Sequence, residues 1–157
     1  GPWVETPSLF IEIGSTNETW GHEGAAKLLA GIIYRGLGLD GSDGLGNWNE
    51  NGRVVVTLGG GHYAPRGNVL AMHPDVWIGH MLATYALPFE KDEDGNISGM
   101  WENSIRKAIK STKLAFPNGD IVCSMDKKAF KGWQRQAIRD LLQELEVPLL
   151  KRSEIIG

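Results

Sequence analysis

The sequence predicts an α/β layered domain with a central mixed or mostly parallel sheet flanked by helices. Three observations point there. Short apolar runs recur at strand length, RVVVTLG (53–59), VWIGHML (76–82) and DIVCSM (120–125). Stretches with helical apolar spacing fall between and after them, and such alternation defines a layered α/β architecture. RVVVTLG is also apolar without alternation, as in a strand covered on both faces.

Taken in order, PSLFIEI (7–13) reads as a buried strand ending at Gly14. Ser15, Thr16 and Asn17 then offer N-cap side chains. Ala26, Leu29, Ala30, Ile33 and Tyr34 recur at helical spacing, predicting a helix from Glu18 or Glu23 to Gly36. Residues 37–52 are rich in Gly, Asp and Asn and form a loop. After the strands at 53–59 and 76–82, residues 98–112 make an amphipathic helix capped by Ser98, with Trp101, Ile105, Ala108 and Ile109 as its inner stripe. The strand 120–125 precedes a long helix over 129–146, and VPLLKR (147–152) closes as a strand or extended tail. No repeat or linker divides the 157 residues, so 1–157 is read as one domain. Gly1-Pro2 reads as the remnant of a cleaved tag, and the domain is expected to come from a longer protein.

Composition narrows the class of function. At 41% hydrophobic and 22% charged the chain is ordinary globular material. No apolar run reaches the roughly 18 residues of a membrane span, and no secretory leader opens the sequence. Membrane partners are therefore not expected. A single cysteine, Cys123, sits in the apolar run DIVCSM, fitting a reducing compartment, the cytoplasm, and a buried structural thiol. Net charge is −3 but uneven: residues 1–105 carry 13 acidic and 5 basic side chains, residues 106–157 carry 6 and 11. That polarity would give one basic face able to hold a phosphate backbone, the plain alternative being the solvated faces of helices.

The chemistry concentrates in LGGGHYAPR (58–66). Open α/β sheets bind ligands at the carboxyl ends of their strands, where this stretch begins. Gly59, Gly60 and Gly61 permit positive φ and close approach, and their N–H groups are free of side-chain hindrance. Pro65 would stiffen the exit and help to fix His62; the plain alternative is a tight turn with an incidental histidine. The spacing matches neither G-x-G-x-x-G nor the phosphate-binding G-x-x-x-x-G-K-[ST]. His80 follows Gly79 inside an apolar strand, where a polar ring needs a partner. Converging in one cleft, the two imidazoles would make an acid/base pair, bind a substrate or ligate zinc; a satisfied core histidine is the bland alternative for His80. His22, Glu23 and Glu12 are further metal-ligand candidates, but no H-x-x-x-H or C-x-x-C spacing occurs and the ligand set is unknown.

EIGSTNETW (12–20), GGGHYAPR (59–66), IGHMLATYAL (78–87) and MDKKAFKGWQRQAI (125–138) together resemble the archaeal and plant D-aminoacyl-tRNA deacylases, the family of the plant ethanol-tolerance protein. The resemblance spans the chain, although most of the segment that usually precedes the EIGST block is missing. It implies a phosphorylase- and peptidyl-tRNA-hydrolase-like fold. It implies hydrolysis of the ester joining a D-amino acid to the 3′ end of tRNA, with zinc as a possible cofactor. Carried onto this sequence, it places Gly59, Gly60, Gly61, His62, Tyr63, Gly79 and His80 at the site, with His62 and His80 catalytic. Lys127, Lys128 and Arg135 would meet the tRNA. The N–H groups from Gly59 to His62 are expected to hold the ester carbonyl or its oxyanion. The rival expectation is a non-catalytic RNA- or protein-binding domain; a third is a nucleoside-processing or peptidyl-tRNA-hydrolase-like enzyme. Oligomeric state is not readable.

Overall fold

The computed structural model describes residues 11, 13 and 16–157. The strand expected over 7–13, with Gly14, Ser15 and Glu12, falls outside the described residues apart from positions 11 and 13. The chain divides into two compact units, Gly1–Asn49 and Glu50–Gly157.

In the first unit the described structure is a turn at 16–21 and helix α1, Glu23–Gly36. The cap is His22, whose Nδ1 accepts the Ala25 N–H at 3.1 Å, satisfying one orphan donor of the first turn. Thr16 instead accepts backbone hydrogen bonds from Thr19 and Trp20 in the preceding turn. No residue of α1 is buried. Trp20 lies in that turn and is exposed.

The second unit is a parallel sheet with helices on both faces. Its strands are β1 (Arg53–Leu58), β2 (Val76–Leu82) and β5 (Asp120–Met125), in the order β2-β1-β5. Between β1 and β2 runs α2, Pro65–Ala71; before β5 come a two-strand hairpin, β3 (Glu90–Lys91) with β4 (Ile97–Ser98), and α3, Trp101–Ala115. After β5 come α4, Gly132–Glu144, and α5, Arg152–Ile156. The central strand pairs in parallel with both neighbours, and Val54, Val55 and Val56 are fully buried. A valine sealed in this way stabilises by about 1.5–3 kcal/mol, which is why continuous β-branched sequence settles at the middle of the sheet.

The two faces of β1 feed separate cores. Val56, Leu58 and Cys123 pack with Trp101, Ile105, Ala108 and Ile109 of α3 and Ile138, Leu141 and Leu142 of α4. Val55 and Val122 pack with Leu70 of α2 and Ile155 of α5. The predicted inner stripe of α3 is thus the buried one. Ser98, however, lies in β4 opposite Glu90, and α3 starts at Trp101 without a side-chain cap. The long helix begins at Gly132, because residues 127–129 form a 3-10 turn and Phe130 is extended. The tail 147–152 runs beside β5: the Cys123 N–H donates to the Pro148 carbonyl at 2.8 Å and the Leu150 N–H to the Cys123 carbonyl at 2.9 Å.

A bulge in β2 decides where His80 goes. Val55 pairs with Ile78 and Val56 with His80, so Gly79 has no partner residue on β1. Strict alternation would send Gly79 and His80 to opposite faces. The extra residue instead turns both towards α3, against Thr112 and Ser111 respectively.

Candidate functional site

β1 leaves the sheet towards α2, on one face. β5 leaves through the 3-10 turn towards α4, on the other. Adjacent parallel strands whose loops diverge in this way open a crevice at their carboxyl ends, the usual ligand position in α/β sheets. Gly59, Gly60 and Gly61 form one lip and Asp126, Lys127 and Lys128 the other. The ladder carries on between them, with the Asp126 N–H donating to the Leu58 carbonyl at 2.9 Å.

The three glycines have three different reasons. Gly59 sits at φ +88° against the aromatic core; a Cβ there would lie 2.5 Å from the Phe130 ring. Gly60, at φ +95°, is tied to the loop after β2: its N–H donates to Thr84 Oγ1 at 3.0 Å, and its carbonyl accepts from both the Thr84 N–H and Oγ1. Gly61 has open space where a side chain would be. This corrects the expectation that the whole run of N–H groups faces a ligand. Gly59 donates to the Leu82 carbonyl at 2.7 Å and Gly60 to Thr84, leaving the N–H groups of Gly61 and His62 without a partner among the described residues.

His62 is exposed at this lip, its Nδ1 3.0 Å from the Tyr85 hydroxyl and its ring edge-on to Tyr63. The loop is braced behind it: the Ala64 N–H donates to the Gly61 carbonyl, and Asn68 Nδ2 donates to the Tyr63 carbonyl at 2.8 Å. Ala64 itself takes a left-handed conformation, φ +39°, before Pro65 opens α2. A non-glycine residue there carries a strain of about 1–3 kcal/mol, which those hydrogen bonds offset.

His80 is placed elsewhere. Its Nε2 lies 2.6 Å from Ser111 Oγ on α3, half-buried, and burial holds its pKa below the ordinary histidine value. Neither a hydrogen bond nor a ring contact joins it to His62 among the described residues. The two imidazoles therefore occupy different environments, one facing water at the sheet's end and one satisfied by a helix hydroxyl.

The opposite lip is cationic. Lys127 and Lys128 are exposed, on a turn capped by Asp126 Oδ1, which accepts the Lys128 N–H at 3.0 Å. Arg135 braces that turn from α4: its Nη1 donates to the carbonyls of Lys127 and Phe130, at 3.0 and 2.8 Å. Across the crevice, Arg66 Nε of α2 pairs with Asp126 Oδ2 at 3.2 Å. Arg66, Thr84 and Tyr85 were not singled out from the sequence, although all three stand inside or beside the motif blocks. Two open clefts, about 380 and 460 Å³, lie at the other, amino end of the sheet around Asn118 and Asp120.

Among the described residues no group of three or more His, Cys, Asp or Glu side chains is placed to hold a metal ion. His62 and His80 each have another partner, and His22 caps α1. The described donor set does not fit the zinc that the resemblance implies.

The chain is an α/β domain that presents, at a topological switch point, an exposed imidazole beside two N–H groups without a partner among the described residues. Comparison with known proteins makes the class specific. Residues 1–150 match the model of the D-aminoacyl-tRNA deacylase family, and the chain belongs to that family. It is 42% identical to the D-aminoacyl-tRNA deacylase of Arabidopsis thaliana, over 98% of this chain and 52% of that protein. It is 34% identical to that of Pyrococcus abyssi, over 94% and 46% respectively. The chain spans about half the length of the curated relatives it matches. A solved structure described as a conserved protein of unknown function shares the fold, with a TM-score of 0.60 at 22% identity, covering 90% of this chain and 42% of that one. No helix among the described residues is long and apolar enough to cross a membrane.

Proposed function

We propose that this chain carries a hydrolytic site for D-aminoacyl-tRNA, releasing the D-amino acid and free tRNA. The single observation behind the reading is the pairing of His62 with the unpartnered N–H groups of Gly61 and His62 at the carboxyl end of β1, in a chain of this family. An aminoacyl ester needs a positioned water and stabilisation of the developing oxyanion, and little else. His62 takes the water's proton as the water attacks the ester carbonyl. The Gly61 and His62 N–H groups hold the oxyanion. Collapse of that intermediate expels the ribose oxygen, which is reprotonated by the imidazolium. Tyr63, edge-on to the His62 ring, flanks the ester. Gly79 and His80 support the fold beneath it, through Thr112 and Ser111.

Lys127 and Lys128 bind phosphates near the 3′ end of the tRNA, while Arg135 holds their turn in place. Arg66 is paired with Asp126, so the cations offered to the nucleic acid are those of Lys127 and Lys128. Incubation with D-Tyr-tRNA and L-Tyr-tRNA tests the reading directly. Release of D-tyrosine in preference to L-tyrosine is expected. Inertness towards both, at enzyme concentrations near that of the tRNA, would remove it. In that event, salt-sensitive tRNA binding without turnover would mark a non-catalytic RNA-binding domain.

A further inference from the structure

We infer that Tyr85 is the positioning residue for His62, and that Thr84 carries it there. The inference rests on the hydrolytic reading above and concerns which ring nitrogen does the work.

Residues 84–86 form a 3-10 turn just after β2, and that turn is fastened to the glycine loop. Thr84 exchanges three hydrogen bonds with Gly60, using both polar groups of that glycine. The next residue places its phenol 3.0 Å from His62 Nδ1, with the two rings within 26° of parallel and their centroids 6.3 Å apart. An exposed histidine on a glycine-rich loop would otherwise rotate freely about its side-chain torsions and sample both neutral tautomers. Here one edge of the ring is held by a hydroxyl whose own turn is bolted to the same loop. Position and restraint therefore come from one pair of adjacent residues, contributed by the neighbouring strand's exit.

A phenol accepts as well as donates, so it suits either tautomer; the function selects one. For His62 to accept a proton at Nε2, Nδ1 must carry the hydrogen and donate it to Tyr85 Oη. When Nε2 takes the water's proton, the imidazolium keeps that same Nδ1–H···Oη bond, and no rearrangement accompanies the step. Tyr85 touches neither the ester nor the water. It acts through His62.

The test is nitrogen NMR of the imidazole in the 157-residue chain, the His62 signals being assigned by their loss in His62→Gln. At a pH where the ring is neutral, wild type should show Nε2 as the unprotonated nitrogen. Tyr85→Phe should return the ring to a mixture of tautomers at an unchanged melting temperature, since Tyr85 is 70% exposed and its ring is kept. On D-Tyr-tRNA the same variant should lose about tenfold in kcat with KM unchanged, a fraction of the roughly 10²–10⁴ that a general base supplies. Its acidic pH–rate limb should also move. An identical tautomer in wild type and Tyr85→Phe, or Nε2–H dominant in wild type, would overturn the inference. If wild type turns over no substrate, the hydrolytic reading falls, and the tautomer comparison still decides whether Tyr85 orients the ring.

Discussion

Gly79 of β2 lies so close to Thr112 of α3 that a Cβ added to the glycine would come within 2.4 Å of the threonine methyl. Thr112 is itself buried, its hydroxyl donating to the Ala108 carbonyl at 2.8 Å, and it has nowhere to go. The contact sets the distance between the sheet and α3 at the bulge, and so sets where His80 meets Ser111.

Gly79→Ala is therefore expected to destabilise the second unit by about 1–3 kcal/mol through overpacking. Equilibrium urea unfolding measures it. Pairing the change with Thr112→Ala should recover part of the loss, because the methyl and the hydroxyl, which would lie 2.4 and 2.5 Å from the new Cβ, are both removed.

The glycines of the 59–61 run should respond differently to alanine. Gly59→Ala meets both a positive φ and the Phe130 ring, and should cost about 2 kcal/mol or more. Gly61→Ala meets no neighbouring atom within 4 Å and should leave the melting temperature unchanged. A melt of each variant decides, and equal losses would contradict the separate reasons assigned to the two residues.

His80 predicts a pH effect on stability. Its folded pKa is depressed by burial, so the unfolded chain takes up a proton more readily than the folded one as pH falls. Stability should be fully present above about 6.5, the ordinary histidine value, and decline below it. Comparing wild type with His80→Gln by thermal melts at pH 7.5 and 5.5 isolates the contribution: the gap between the two pH values should narrow in the variant.

Lys127→Glu with Lys128→Glu should weaken tRNA binding and flatten its salt dependence, by about 0.7–0.9 of a unit of slope per lost phosphate contact. Filter binding across a salt series measures this. Because both lysines are exposed, the melting temperature should not move.

Cys123 should be inert in the folded chain. Burial pushes its thiol pKa up to about 12, so almost no thiolate exists at neutral pH. Labelling by a thiol reagent should proceed only as fast as the protein opens, and rapid native-state labelling would contradict its place in the core.

How much was legible follows from what each feature depends on. β1 could be read because a continuous β-branched run has few alternatives in a chain of this composition, and β2 and β5 because their short apolar runs have strand length. The stripe of α3 could be read because helical spacing repeats over four turns. Helix α2 has only seven residues, too few for a period to emerge, and Pro65 at its first position was its main signal. The two-residue strands of the 90–98 hairpin and the five-residue α5 are shorter still.

Sequence alone determined that this is an α/β chain with a glycine–histidine turn leaving its central strand, because local propensity and spacing encode both. Only tertiary structure decided what that turn does with its polar groups. Thr84 consumes Gly60, Tyr85 holds His62, and a one-residue bulge delivers His80 to Ser111 instead of to the opposite face. Such choices come from register and from contacts between residues more than 20 positions apart, where a hydrogen bond is won by whichever group the packing brings within reach.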